Sequence, residues 1–152
     1  LSLQVKLLRV LQESEVRPVG GARADKGDVR VIAAANRDLE AQVRKGEFRE
    51  DLFYRLNVMA IHIPSLKDRQ DDIPLLAQHF LKIFAEKNRK TAKGFAPLAM
   101  DMLLKYHWPG NVRELSNLVE RLAIMVDKDI IDVTDIPDSY RPGRLTHPSY
   151  AA

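Results

Sequence analysis

Two arginines stand six positions apart in Phe48-Arg49-Glu50-Asp51-Leu52-Phe53-Tyr54-Arg55-Leu56, with acids between them and aromatic rings beside them. A guanidinium is a planar, permanently charged fork whose best partners are carboxylates and phosphates. Six residues of helix turn through about 600°, so the two side chains cannot share a face if both are helical. The spacing puts Arg49 in an entering loop or first turn and Arg55 further along. Two chemistries stay open. Glu47, Glu50 and Asp51 can close salt bridges on a solvated surface, or one or both arginines reach a phosphate.

Two further residues suit the same chemistry. Asn36 follows the apolar run Val29–Ala35, and ligands of open α/β sheets bind beyond the carboxyl ends of strands. An amide there orients a water or a phosphate oxygen, or else caps the next helix with Asp38. Arg113 falls in the first turn of a helix opened by Asn111-Val112-Arg113-Glu114, where N–H groups favour an anion. A cation there opposes the helix dipole, at a cost of about 0.3 kcal/mol or more. A phosphate or Glu114 offsets that cost, and a salt bridge to Glu114, Glu120 or Asp101 is the plainer alternative. His62 sits in an apolar stretch with no second ligand at metal spacing, so it reads as a hydrogen-bonded structural histidine and no metal site is expected.

The elements that must position these groups follow from periodicity. Residues 3–13 read as a helix through Leu3, Leu7, Leu8 and Leu11. Glu15–Val19 reads as a short edge strand ended by Gly20-Gly21, and residues 22–28 as a loop. Val29–Ala35 and Asn57–Pro64 read as strands covered on both faces, as in parallel sheets. A short helix over 38–45, ended by Gly46, lies between them. Beyond a hinge at Ser65–Gln70 the period is helical throughout. Asp71-Asp72-Ile73-Pro74 starts a helix with an acidic cap, striped by Ile73, Leu76, Ala77, Phe80, Leu81 and Phe84. Pro97–Tyr106 is a second helix, with Leu98, Met102 and Leu103 inward, stopped by Trp108-Pro109-Gly110. A third is capped by Asn111 and striped by Leu115, Leu118, Val119, Leu122 and Val126. The expected division is 1–64, 65–137 and a linker from 138.

The chain has 152 residues, 45% hydrophobic and 30% charged, which excludes a disordered chain and fits a soluble globular one. No apolar run approaches the roughly 18 residues of a membrane span. The absence of cysteine excludes disulfides and fits a cytoplasmic protein. The net charge of +3 permits nucleotide or nucleic acid as a partner without demanding either. A basic helical nucleic-acid-binding or assembly module is therefore an alternative reading.

Five stretches occurring in order carry a resemblance: Leu7-Leu8-Arg9-Val10-Leu11-Gln12-Glu13, Val16-Arg17-Pro18-Val19-Gly20-Gly21, Val29–Leu39, Phe48–Asn57 and Trp108-Pro109-Gly110-Asn111-Val112-Arg113-Glu114-Leu115. Together they resemble the C-terminal half of the AAA+ domain of bacterial enhancer-binding proteins, the sigma-54-dependent transcription activators, some of which are two-component regulators. The resemblance implies an α/β fold: the C-terminal part of a P-loop-type parallel-sheet core, followed by a small all-α lid. It implies ATP with Mg²⁺ as cofactor, a ring of six or seven subunits, sigma-54 RNA polymerase as partner and enhancer DNA bound through a further domain. By position, Asn36 matches sensor I. Arg49 and Arg55 match the arginine fingers that reach a neighbour's ATP, Arg113 matches sensor II, and Ile73 matches an adenine contact.

Ala35 stands where the family often has threonine before the sensor asparagine. Ala96 stands where a capping Ser or Thr is expected, which weakens that helix start by about 1 kcal/mol. No Gly-x-x-x-x-Gly-Lys-Ser/Thr loop, no strand ending in paired acids and no sigma-contacting Gly-Ala-Phe-Thr-Gly-Ala loop occurs in the chain. The chain alone is therefore expected to hydrolyse ATP negligibly.

Overall fold

The computed structural model describes residues 2–13, 15, 16, 25, 26 and 30–141. The chain divides between His62 and Ile63 into two units.

In the first unit, α1 (Ser2–Glu13) packs against α3 (Glu50–Leu56), and α2 (Leu39–Arg44) also packs against α3. Leu8 and Leu52 are the buried hydrophobic side chains of its described residues. β1 (Glu15–Val16) pairs antiparallel with β2 (Asp25–Lys26), Glu15 opposite Lys26. The edge strand expected at 15–19 is thus found at its start, and residues 17–19 lie outside the described residues. Part of the loop expected at 22–28 instead serves as the partner strand.

The two apolar runs are not strands. Residues 30–35 and 60–64 join no ladder among the described residues, and their apolar side chains face out: Ile32 is 84% and Ile61 82% exposed. Val29 lies outside the described residues. The reason is backbone bookkeeping: a parallel strand needs neighbours to take its N–H and C=O groups, and no described segment lies alongside either run. His62, expected to be a hydrogen-bonded structural residue, is exposed and makes no hydrogen bond with the described residues.

The second unit is helical and closes its own core. α4 (Asp72–Asn88) packs along α6 (Asn111–Met125), and α5 (Pro97–Lys105) lies against α4. β3 (Gly94–Phe95) and β4 (Ile130–Ile131) form a two-residue parallel bridge. Ile73, Ala77, Leu81, Leu103, Leu115, Val119, Leu122 and Ile131 fill the centre. Both long stripes follow the helical period, as expected for faces that must bury themselves. On α5, Leu103 is buried and Met102 packs partly buried against the core as expected, while Leu98 is 68% exposed and Ala99 is buried instead. Ala96 caps α5 without a side-chain bond, as its methyl dictates. Asp71 precedes α4 but its carboxylate does not cap. The first-turn N–H groups of Asp72 and Ile73 instead find the carbonyls of Arg69 and Gln70 at 3.1 and 3.0 Å.

Between α5 and α6 the chain reverses through Trp108-Pro109-Gly110-Asn111. Trp108 and Asn111 both take left-handed conformations (φ 48° and 51°). Asparagine tolerates that region and tryptophan resists it, so burial must hold Trp108 there. Its indole N–H donates to the Leu103 carbonyl at 2.8 Å, and its ring stacks in a cluster with Tyr106 and Tyr140. Tyr140 belongs to a 3₁₀ turn, Asp138–Tyr140, so the helical unit continues past the linker boundary expected at 138.

Asn111 was expected to cap α6, but the capping position is Gly110. Glu114 Oε2 accepts the Gly110 N–H at 2.7 Å, and a Cβ on Gly110 would meet Glu114 Cβ at 2.8 Å, so that close approach requires glycine. Asn111 is thereby freed to accept the Leu66 N–H through Oδ1 at 2.8 Å, tying the 3₁₀ turn Leu66–Asp68 to the start of α6.

Candidate functional site

Arg49 is set in place by three local devices. The first is the end of α2. Gly46 takes φ 73°, Gly46 N–H bonds to Val43 O at 2.9 Å, and Glu47 N–H bonds to Gln42 O at 3.0 Å. This paired closure redirects the chain toward α3, and its left-handed residue favours glycine. The second is Gln4 on α1, whose Nε2 donates to Glu47 O at 3.0 Å and whose Oε1 accepts Arg49 N–H at 2.9 Å. The third is Asp51. Arg49 caps α3 in an extended conformation, but a guanidinium has no acceptor to offer the helix. Asp51 Oδ1 accepts the Leu52 N–H at 2.8 Å instead.

Arg49 then lies fork-on-fork with Asp51, Nε to Oδ1 at 3.0 Å and Nη2 to Oδ2 at 2.6 Å. The two side chains are 41% and 43% exposed, so solvent screens the pair and makes it exchangeable. The hydrogen bond from Arg49 holds the Asp51 carboxyl below the usual carboxylate range, and the same bond raises Arg49. Of the two chemistries left open by the sequence, Arg49 makes the carboxylate pair in this structure.

Arg55 forms no ion pair among the described residues. Its Nη2 donates to the Leu11 carbonyl at 2.9 Å. That carbonyl lies in the last turn of α1, where acceptors are unsatisfied and the dipole favours a cation. Tyr54 beside it is 66% exposed, with Phe53 edge-on at 5.4 Å.

Asn36 is exposed, in a bend before α2, and bonds to none of the described residues. It does not cap α2: Asp38 does so alone, through Oδ1 to Ala41 N–H at 3.0 Å. In the second unit Arg113 is exposed in the first turn of α6 and forms no ion pair among the described residues.

The three acids that could neutralise Arg113 are engaged elsewhere. Glu114 accepts from Gly110 N–H and, at 3.2 Å, from Tyr106 O–H. Glu120 lies 4.0 Å from Lys87, and Asp101 holds Lys105 at 2.6 Å. Burial, then the Glu114 carboxylate, pushes the Tyr106 hydroxyl up to about 12, so it stays a donor. Ile73 has no exposed surface and is packed in the helical core. Its side chain is committed to packing rather than presented to a ligand, because α4 turns that face toward α6.

Arg49 and Arg55 are thus brought onto one short helix braced by α1, and Arg113 stands alone on the other unit. Among the described residues no group of three His, Asp or Glu side chains could hold a metal ion, and no helix is long and apolar enough to cross a membrane. Sequence reasoning missed Gln4. It reads as one polar residue among the leucines of α1, and its partners lie 43 and 45 residues away.

Residues 67–151 match the family described as AAA+ ATPase lid domain, and residues 1–62 match the Sigma-54 interaction domain. The transcriptional regulatory protein ZraR of Escherichia coli strain K12 is 56% identical over 89% of this chain and 31% of its own length. The regulatory protein AtoC of the same strain is 51% identical over 93% of the chain and 31% of its length. The Nif-specific regulatory protein of Herbaspirillum seropedicae is 53% identical over 86% of the chain and 24% of its length. A crystal structure of NtrX from Brucella abortus in complex with ATP superposes with a TM-score of 0.85 at 38% identity, covering 91% of this chain and 33% of that one. The chain spans about a third or less of the length of the relatives it matches.

Proposed function

The chain belongs to the AAA+ family of sigma-54-dependent transcriptional regulators, as part of a core followed by a helical lid, and we propose that in the full-length protein it completes ATP sites shared between ring subunits. The observation that carries this is Arg113: an exposed cation in the first turn of a helix that forms no ion pair among the described residues. Such a position favours a phosphate.

In this reading Arg113 contacts the phosphates bound by its own subunit. Arg49 and Arg55 reach across to the neighbour's ATP, where a donated guanidinium stabilises the charge developing on the transferred phosphoryl group. Asn36, exposed and free of protein partners among the described residues, orients the γ-phosphate or the attacking water. Arg49 must exchange Asp51 for phosphate, and a screened surface pair yields readily to that swap. Ile73 has no part in the proposal. When bound, ATP with Mg²⁺ supplies the phosphoryl group and the charge that these residues meet. The phosphate-binding loop and metal-holding acids, the contact with sigma-54 RNA polymerase and the binding of enhancer DNA fall to other parts of the full-length protein, which acts in the cytoplasm as a ring. The resemblance and the ATP complex of NtrX support this reading. The nucleic-acid-module alternative is weakened by pairing in the helical unit, where Lys87, Lys90, Lys93, Lys105 and Lys128 each face an acid.

The test is ATP turnover by the full-length protein. Arg49→Ala and Arg55→Ala are each expected to lower it about 10³-fold or more, the scale of a lost arginine finger, with ATP affinity largely kept. Loss of nucleotide binding in intact rings would overturn the action across subunits. Arg113→Ala should weaken ATP binding, and unaltered affinity and turnover would remove it from the site.

A further inference from the structure

We infer that Gln4 is a positioning residue for Arg49, and that one face of α1 holds both arginines in register. This rests on the reading of Arg49 and Arg55 as arginine fingers.

The amide of Gln4 is used at both ends. Nε2 donates to Glu47 O at 3.0 Å, and Oε1 accepts Arg49 N–H at 2.9 Å. Only one orientation of the amide satisfies both partners, since Glu47 offers an acceptor and Arg49 a donor. The two bonds straddle Phe48 and fix the backbone on either side of it. Arg49 is the capping residue of α3, so its N–H has no acceptor within the helix. The direction in which the Arg49 side chain leaves the backbone is therefore set by α1.

Arg55 is held by the same helix. Its Nη2 donates to the carbonyl of Leu11, seven residues after Gln4. Seven residues are about two turns and about 10.5 Å of rise, so the two anchor points lie on one face of α1. Leu8, buried at 9% exposure, lies between them on that face, and α3 buries Leu52. A shift of α1 along its axis moves both arginines together.

The experiment is steady-state ATP turnover by the full-length protein, with ring assembly checked by size-exclusion chromatography. Gln4→Leu removes both hydrogen bonds at similar volume. It is expected to lower kcat about tenfold with KM for ATP within about twofold, as displacement of a catalytic group does. Gln4→Glu retains the acceptor for the Arg49 N–H, so it should recover most of that loss and serves if the leucine variant fails to assemble. In an Arg49→Ala background, Gln4→Leu should cost nothing further, because the two act as a unit. Wild-type kcat in Gln4→Leu, or a loss that multiplies with Arg49→Ala, would overturn the inference. Wild-type turnover in Arg49→Ala alone would sink the finger reading instead. The clamp is then read without catalysis, by hydrogen exchange at the Arg49 amide: faster in Gln4→Leu supports it, and an unchanged rate rejects it.

Discussion

The two units differ in how they satisfy themselves. From Ile63 onward, α4, α5 and α6 bury a continuous core, from Leu66 to Ile136. Up to His62, Leu8 and Leu52 are the buried hydrophobic residues described, while Val31, Ile32, Val58, Met59 and Ile61 face outward. Sequence hydrophobicity does not explain this, since the outward residues are as apolar as the inward ones. A helix satisfies its own backbone and needs only one face covered, whereas a parallel strand needs neighbouring strands for its backbone and a layer over each face before its side chains are buried. The chemistry follows the same division. Arg113, without an ion pair among the described residues, is on the closed unit, and the braced pair Arg49 and Arg55 is on the open one.

The largest effects expected are those that break the closed unit. Leu103→Ala should destabilise the helical unit by about 2–5 kcal/mol, because a fully buried leucine leaves a cavity. Thermal unfolding of the 152-residue chain checks it, and an unchanged midpoint would mean that this core does not govern the unit's stability. The open unit offers the contrast. Ile32→Ala in the same chain should change stability by less than about 0.5 kcal/mol, as for an exposed side chain. In the full-length protein the same substitution should cost at least about 2 kcal/mol if neighbouring strands cover the run. Equal small effects in both settings would break the contrast between the units.

The smallest effect concerns charge, where the units should not differ. Asp51 is lowered by its hydrogen bond from Arg49, and Asp129 by its hydrogen bond from Lys93, one pair in each unit. A carboxylate lowered on folding adds stability above its unfolded pKa, and that stability is lost as pH falls through the folded value. Both should therefore titrate below the usual carboxylate range in carboxyl-carbon NMR. Arg49→Ala should raise Asp51 toward that range and leave Asp129 in place. Identical Asp51 midpoints with and without Arg49 would show that the ion pair does not form in solution.

Much of the helical unit was legible because periodicity and punctuation agree there. The α6 stripe is buried at every residue named from its spacing. On α5 only Leu98 was misplaced, because Leu98 and Ala99 both satisfy a helical repeat and packing against α4 chooses the smaller one. The runs at 29–35 and 57–64 carry strand composition, but a ladder depends on partners that local sequence does not display. At the site, the arginines and Asn36 were visible by residue type and position. Two features were not. Gln4 acts across more than forty residues, and the partners that Glu114, Glu120 and Asp101 take among the described residues, Gly110, Lys87 and Lys105, are set by the fold.

The most direct test of the central claim is ATP turnover in rings mixed from two impaired full-length variants, Arg49→Ala and Arg113→Ala, at an ATP concentration that leaves Arg113→Ala poorly occupied. If Arg49 serves the neighbour's site and Arg113 its own, a site formed by an Arg49→Ala subunit beside an Arg113→Ala subunit holds both arginines, and mixing should restore turnover well above the sum of the separate variants. Mixed rings that assemble normally and show no gain would contradict that division of labour.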